Sequence, residues 1–162
     1  MTQEQNQTMS SSEGRVLTFI KGSVRVKGPA AKPISVLIVD DEEPVRKFVE
    51  RVLRDAGYAT VLAADGPEAI AAAAKMDTLD IIVTDVMMPE MQGDELARRL
   101  RQDEPNLKVL YLTGFSDHLF KEKVTLWADE AFLDKPCSVK GLLQAVSLLL
   151  FGRFVQSDAR TS

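Results

Sequence analysis

From Ile34 to Phe151 the chain reads as short apolar runs separated by longer stretches whose apolar residues recur at helical spacing. The first run, Ile34-Ser35-Val36-Leu37-Ile38-Val39, is nearly continuous and rich in β-branched residues, the pattern of a strand covered on both faces of a parallel sheet. It ends in Asp40-Asp41-Glu42-Glu43. Pro44 then suits the first turn of a helix, and Val45, Phe48, Val49, Val52 and Leu53 share one helical face before Gly57 stops it. Tyr58 to Ala63 is a second, shorter strand. Asp65 and Glu68, with Pro67 between them, form a helix-start signature leading into an alanine-rich segment that runs to Lys75. The third strand, Asp80 to Asp85, delivers Asp85 into a turn closed by Pro89 and Gly93, and a helix from about Asp94 through Arg101 follows with Leu96 and Leu100 inward. Leu107 to Leu112 is a fourth strand ending in Thr113-Gly114, ahead of a helix over roughly Asp117–Trp127. Ala131-Phe132-Leu133 makes a short fifth strand that runs into Asp134-Lys135-Pro136. Ser138 caps a last helix whose inner stripe is Val139, Leu142, Leu143, Val146 and Leu150.

Five strands alternating with five helices predict an α/β fold, a parallel sheet with helices on both faces, because right-handed crossovers place them there. Ligands of such sheets bind beyond the carboxyl ends of the strands. Asp40 and Asp41 end the first strand, Asp85 the third and Thr113 the fourth, and Lys135 follows the fifth. The topology therefore predicts that all five converge on one edge as a single site.

Ahead of this unit, residues 1–14 are polar and carry few side chains that could offset the entropy of ordering, so they are expected to be disordered. Val16 to Ile20 and Val24 to Val26 are patterned as a hairpin turning at Gly22-Ser23, and residues 28–33 are a linker by composition. The expectation is a disordered or weakly structured extension over 1–33, one domain over 34–152 and a tail over 153–162.

Composition narrows the classes of function. Of the 162 residues, 45% are hydrophobic and 27% charged, as in an ordinary soluble globule. The formal net charge is −4. Residues 1–33 hold five basic against two acidic side chains, so the remainder carries −7, the opposite of a nucleic-acid binder's balance. Cys137 is the single cysteine and His118 the single histidine, which rules out an internal disulfide and a Cys/His metal cluster. The N-terminus lacks the basic-then-apolar order of a signal peptide, and the apolar run near Leu142–Phe151 is too short to cross a bilayer. A cytoplasmic protein with neither nucleic-acid nor membrane partners is the expectation.

Three crowded carboxylates repel one another unless a cation neutralises them. With oxygen donors only and no Cys or His, Mg2+ fits best, since it accepts one or two carboxylates and keeps positions for water and phosphate. A lysine and a hydroxyl opposite the metal are what a phosphoryl group needs, the first as a point charge and the second as a donor. An aspartate in that setting can itself be the nucleophile, giving an aspartyl phosphate.

Val39-Asp40-Asp41, Thr84-Asp85-Val86-Met87-Met88-Pro89 with Gly93, Leu112-Thr113-Gly114 and Asp134-Lys135-Pro136 stand in order and at characteristic separations. In them the segment from about Ile34 to Phe151 resembles a response regulator receiver domain of two-component signalling, of the chemotaxis-regulator kind. The resemblance implies a flavodoxin-like sheet of strand order 2-1-3-4-5. It implies that Asp85 is the phosphoacceptor, served by a histidine kinase or a histidine phosphotransfer protein. Asp41 would bind Mg2+ directly, Asp40 largely through water, and Met87 through its backbone carbonyl. Lys135 would contact a phosphoryl oxygen, and its bond to Pro136 would be cis. Thr113 would be drawn to the phosphoryl group while Phe132, at the aromatic switch position, turns inward. The switched face would comprise the fourth helix, fifth strand and fifth helix. Met87 and Phe115, both large and apolar, occupy positions that in this family govern attack of water on the acyl phosphate, and they imply a long-lived phosphoryl group.

Two other classes compete. A magnesium-dependent phosphohydrolase with an aspartyl nucleophile would place an acid/base aspartate two residues after it, where this chain has Met87. A binding module independent of phosphorylation would not need the five polar residues at the strand ends. The stripe Phe120, Val124 and Trp127, with Leu148, Phe151, Phe154 and Val155 beyond the inner face of the last helix, suggests a partner or self-association surface. With about ten residues after the last helix, the expected protein is a stand-alone receiver whose output is another protein or onward phosphotransfer.

Overall fold

The chain divides into two units, Met1–Pro33 and Ile34–Ser162. In the computed structural model residues 32–114 and 129–152 are described in full, together with the backbone of three strands nearer the N-terminus. These are β1 (Thr8–Ser10), β2 (Val16–Ile20) and β3 (Ser23–Lys27), paired antiparallel in the order β1-β2-β3. Ile20 opposes Ser23, so Ser23 belongs to the strand rather than to the reversal. β1 falls within residues 1–14, whose polar composition predicts no ordered element.

The second unit holds the five-stranded parallel sheet. Its strands are β4 (Ser35–Val39), β5 (Ala59–Ala63), β6 (Ile81–Asp85), β7 (Lys108–Thr113) and β8 (Glu130–Asp134), in the spatial order β5-β4-β6-β7-β8. Counted within the unit this is 2-1-3-4-5, the order that the motifs imply. Val36 pairs with Ile81, Ile81 with Lys108 and Val109 with Glu130, so the strands run in step and their carboxyl ends share one edge.

Alternation along the strands divides the core between two faces. Leu37, Val39, Ile82, Val109 and Tyr111 point to the side covered by α2 (Gly66–Lys75) and α3 (Gly93–Asp103) through Ala69, Leu96, Ala97 and Leu100. Val36, Ile38, Ile81, Val83, Leu110 and Leu112 meet Val49, Val52 and Leu53 of α1 (Glu43–Asp55) and Leu142 and Val146 of α4 (Val139–Phe151) on the other. Each fully buried aliphatic side chain contributes about 1.5–3 kcal/mol, which is why β6 is apolar at every position until its polar tip. The helix expected over Asp117–Trp127 lies outside the described residues.

Local signals set the helix starts. Asp65 accepts a hydrogen bond from Glu68 N at 2.8 Å and the Glu68 carboxylate accepts from Ala64 N at 3.2 Å, closing the first turn of α2. Ser138 accepts from Gly141 N at 2.9 Å at the start of α4. α1 has no side-chain cap and begins instead with Pro44 in its first turn. The edge strand β8 is tied down by charge: Glu130, whose side chain is 4% exposed, pairs with Arg101 of α3 at 2.5 Å and accepts from the Tyr111 hydroxyl at 3.3 Å. Burial, with the Glu130 carboxylate adding to it, pushes the Tyr111 phenol above its ordinary range and keeps it a donor. Lys108 and Asp129 form a second ion pair at the start of the same two strands.

Candidate functional site

β4 ends by turning Asp40 inward and leaving Asp41 exposed, and β6 ends on the buried Asp85. One carboxylate oxygen from each of the three lies within 4.8 Å of the others. Asp40 is the most firmly held. Its Oδ1 accepts from Glu42 N at 2.9 Å, its carbonyl accepts from Arg46 Nη1 at 2.6 Å, and its own N–H reaches Ala63 O at 3.3 Å. Asp40 Oδ2 is buried without a directional hydrogen bond and faces the Lys135 ammonium at 2.7 Å. Lys135 Nζ lies 3.4 Å from Asp85 Oδ1. The lysine is brought there by its backbone, whose N–H donates to Thr113 O at 2.8 Å, and the Lys135–Pro136 bond is cis as the motif implies.

One ammonium does not neutralise three carboxylates. Burial pushes Asp85 up to about 7, with Lys135 opposing that rise and Asp40 adding to it. For Lys135 burial disfavours the charge, but Asp40 and Asp85 together more than offset it, so the ammonium stays protonated above its ordinary range. Clustered hard oxygens and an excess of negative charge over the single lysine together fit a divalent cation.

The loop after Asp85 is packed tightly against it. Val86 N donates to Leu112 O at 3.2 Å, and Gly93 N donates to Val86 O at 2.9 Å. A Cβ on Gly93 would stand 2.3 Å from the Asp85 carbonyl oxygen, so only glycine allows this approach. Glu90, with φ of 67°, takes the left-handed conformation within the same loop. Met88 and Met91 are buried, whereas Met87 is 50% exposed.

The structure thus brings Asp40, Asp41, Asp85 and Lys135 together. Thr113, fully buried at the end of β7, is adjacent through the backbone, but its hydroxyl donates to Asp134 Oδ1 at 2.9 Å. Phe132 is partly buried, and its ring centroid lies 5.3 Å from that of Tyr111. Phe115 lies outside the described residues. Arg46 carries no motif signal and reads as an ordinary helix-face cation six residues after Asp40, whereas Asp134 stands inside the Asp134-Lys135-Pro136 motif, which gives it no role of its own.

The receiver-domain family model, described as response regulator receiver domain, matches residues 36–147. The response regulator receiver protein CpdR of Brucella abortus is 30% identical over 115 residues, covering 71% of this chain and 95% of that protein. The sensor kinase CckA of the same organism is 38% identical over 117 residues, 72% of this chain but 12% of the kinase, and the chain spans half of the probable transcriptional regulatory protein TcrX of Mycobacterium tuberculosis. Among solved structures, the Vibrio cholerae chemotaxis protein CheY4 superimposes with a TM-score of 0.66 at 34% identity, covering 74% of this chain and all of that one. A site of three strand-end carboxylates and one lysine, on a sheet of order 2-1-3-4-5 and under a family match spanning most of the chain, makes the conclusion plain: this chain belongs to the response regulator receiver domain family.

Proposed function

We propose that Asp85 accepts a phosphoryl group from a phosphohistidine on a histidine kinase or a histidine phosphotransfer protein. A carboxylate oxygen of Asp85 forms the new P–O bond as the P–N bond breaks, and the bonding pair returns to the imidazole nitrogen, which takes up a proton. Asp40 and Asp41, with Asp85 and the Met87 carbonyl, are the groups that would hold Mg2+. When bound, the magnesium supplies positive charge to the phosphoryl oxygens. Lys135 neutralises a phosphoryl oxygen from the opposite side, Thr113 donates to another, and Phe132 follows Thr113 inward. The observation that carries this reading is the partly buried ammonium of Lys135 bridging two carboxylates from different strands.

The output is another protein met at the face of β8 and α4, a reading supported by the exposed Leu148 and Phe151 and by Val139, which the helical stripe predicts to face inward but which stands exposed at the start of α4. None of the described helices is long and apolar enough to cross a membrane, and with a histidine kinase as partner the chain would work in the cytoplasm.

Incubation with acetyl phosphate and Mg2+, with Asp85→Asn as control, tests the reading. Stoichiometric labelling lost in Asp85→Asn is expected. Continuous turnover would make the chain a phosphohydrolase instead, and absence of both would make it a binding module that works without phosphorylation.

A further inference from the structure

Thr113 and Asp134 are register partners across the β7–β8 pair, and the backbone bond from Lys135 N to Thr113 O locks the two strand ends side by side. Across that pair the Thr113 hydroxyl donates to Asp134 Oδ1 at 2.9 Å. The direction is set by chemistry, since an ionised carboxylate only accepts. Thr113 is fully buried, so its hydroxyl is screened from bulk water, whereas Asp134 is exposed. The proposed function asks the same hydroxyl to donate to a phosphoryl oxygen on Asp85. A hydroxyl has one proton to give, so both bonds cannot exist together.

We infer that Asp134 is a positioning residue that competes with the phosphoryl group for the Thr113 proton, holding the hydroxyl away from Asp85 in the resting protein. The inference rests on Asp85 being the phosphoacceptor. Its asymmetry makes it a workable switch. When Thr113 turns toward the phosphoryl group, the exposed Asp134 exchanges its bond for water, while the buried hydroxyl passes from one charged acceptor to another and is never left without one. Asp134 therefore sets how far the equilibrium of Thr113 leans toward the resting arrangement, and a weaker acceptor there primes the domain.

The experiment is a beryllofluoride titration at fixed Mg2+, read by fluorine NMR, on the full chain. Asp134→Ala and Asp134→Asn have the same charge, but only the amide oxygen of asparagine still accepts from Thr113. Asp134→Ala is expected to half-saturate at a concentration roughly threefold or more below that of Asp134→Asn, the factor that one hydrogen bond of ordinary net strength gives. In a Thr113→Val background the two variants are expected to coincide. Equal half-saturation of the alanine and asparagine variants when Thr113 is present, or a difference that survives in Thr113→Val, overturns the inference. Wild-type protein that binds no more beryllofluoride than Asp85→Asn overturns the phosphoacceptor reading itself, an outcome distinct from both.

Discussion

The Lys135 ammonium is nearer to Asp40, at 2.7 Å from Oδ2, than to Asp85, at 3.4 Å from Oδ1. The lysine is thus chiefly the counter-ion of the most buried carboxylate. A divalent cation held by Asp40 and Asp41 would compete with the ammonium for that carboxylate, leaving Lys135 for the phosphoryl group.

Lys135→Met is expected to destabilise the metal-free protein by about 3 kcal/mol, the scale of leaving one member of a buried ion pair uncompensated. The same variant is expected to bind Mg2+ more tightly, because the ammonium no longer competes for Asp40. Urea denaturation and calorimetric Mg2+ titration measure the two effects, and weaker Mg2+ binding would contradict the competition.

The elevated Asp85 sets a pH dependence of definite sign. Folded Asp85 keeps its proton to about 7, whereas an unfolded aspartate releases it near pH ~4. Between those values the folded state binds more protons, so the stability that Asp85 contributes is full at the acid end and is lost as pH rises toward 7. Melting curves in chelator are expected to show wild type losing on the order of a few °C relative to Asp85→Asn across that window. Magnesium affinity is expected to climb over the same range, as the cation displaces the proton.

Gly93→Ala is expected to cost about 1–3 kcal/mol, because its Cβ would meet the Asp85 carbonyl oxygen at 2.3 Å and backbone must move. The displacement falls on the proposed nucleophile, so labelling by acetyl phosphate is expected to slow as well. Wild-type stability and rate together would show that the loop yields freely.

Arg101→Ala leaves the Glu130 carboxylate, with its 4% exposed side chain, without the guanidinium that pairs with it at 2.5 Å. A loss of about 3 kcal/mol is expected at neutral pH, with a smaller loss for the Arg101→Ala/Glu130→Gln pair, which removes the buried charge as well. Urea denaturation of the two variants decides the matter.

Met87 and Phe115 are expected to give a slowly hydrolysed aspartyl phosphate, and Met87→Asn/Phe115→Glu to shorten its lifetime. Decay of radiolabelled protein after removal of the donor measures this. A lifetime of seconds in wild type that lengthens in the double variant would run against it.

Much of the site was legible because strand ends are marked locally. Apolar runs stop where the chain leaves the core, and Asp40, Asp41, Asp85, Thr113 and Lys135 all stand at such stops. The parallel fold then carries them to one edge. The caps Asp65 and Ser138 were equally legible, since a cap is a bond spanning three residues. β1 was not, because Thr8–Ser10 has little apolar content and its pairing with β2 is a long-range event.

By itself the sequence determined the order and kind of elements in the second unit, the strand ends at which polar groups gather, and the excess of negative charge among them. Tertiary structure alone decided which atoms meet. That Lys135 leans on Asp40, that Thr113 gives its proton to Asp134, that Arg46 reaches the Asp40 carbonyl and that Gly93 admits the Asp85 backbone all depend on strand register and side-chain direction. Hydrophobic periodicity records only whether a position faces the core. The separation of two polar atoms on different strands is set by the packing of everything between them.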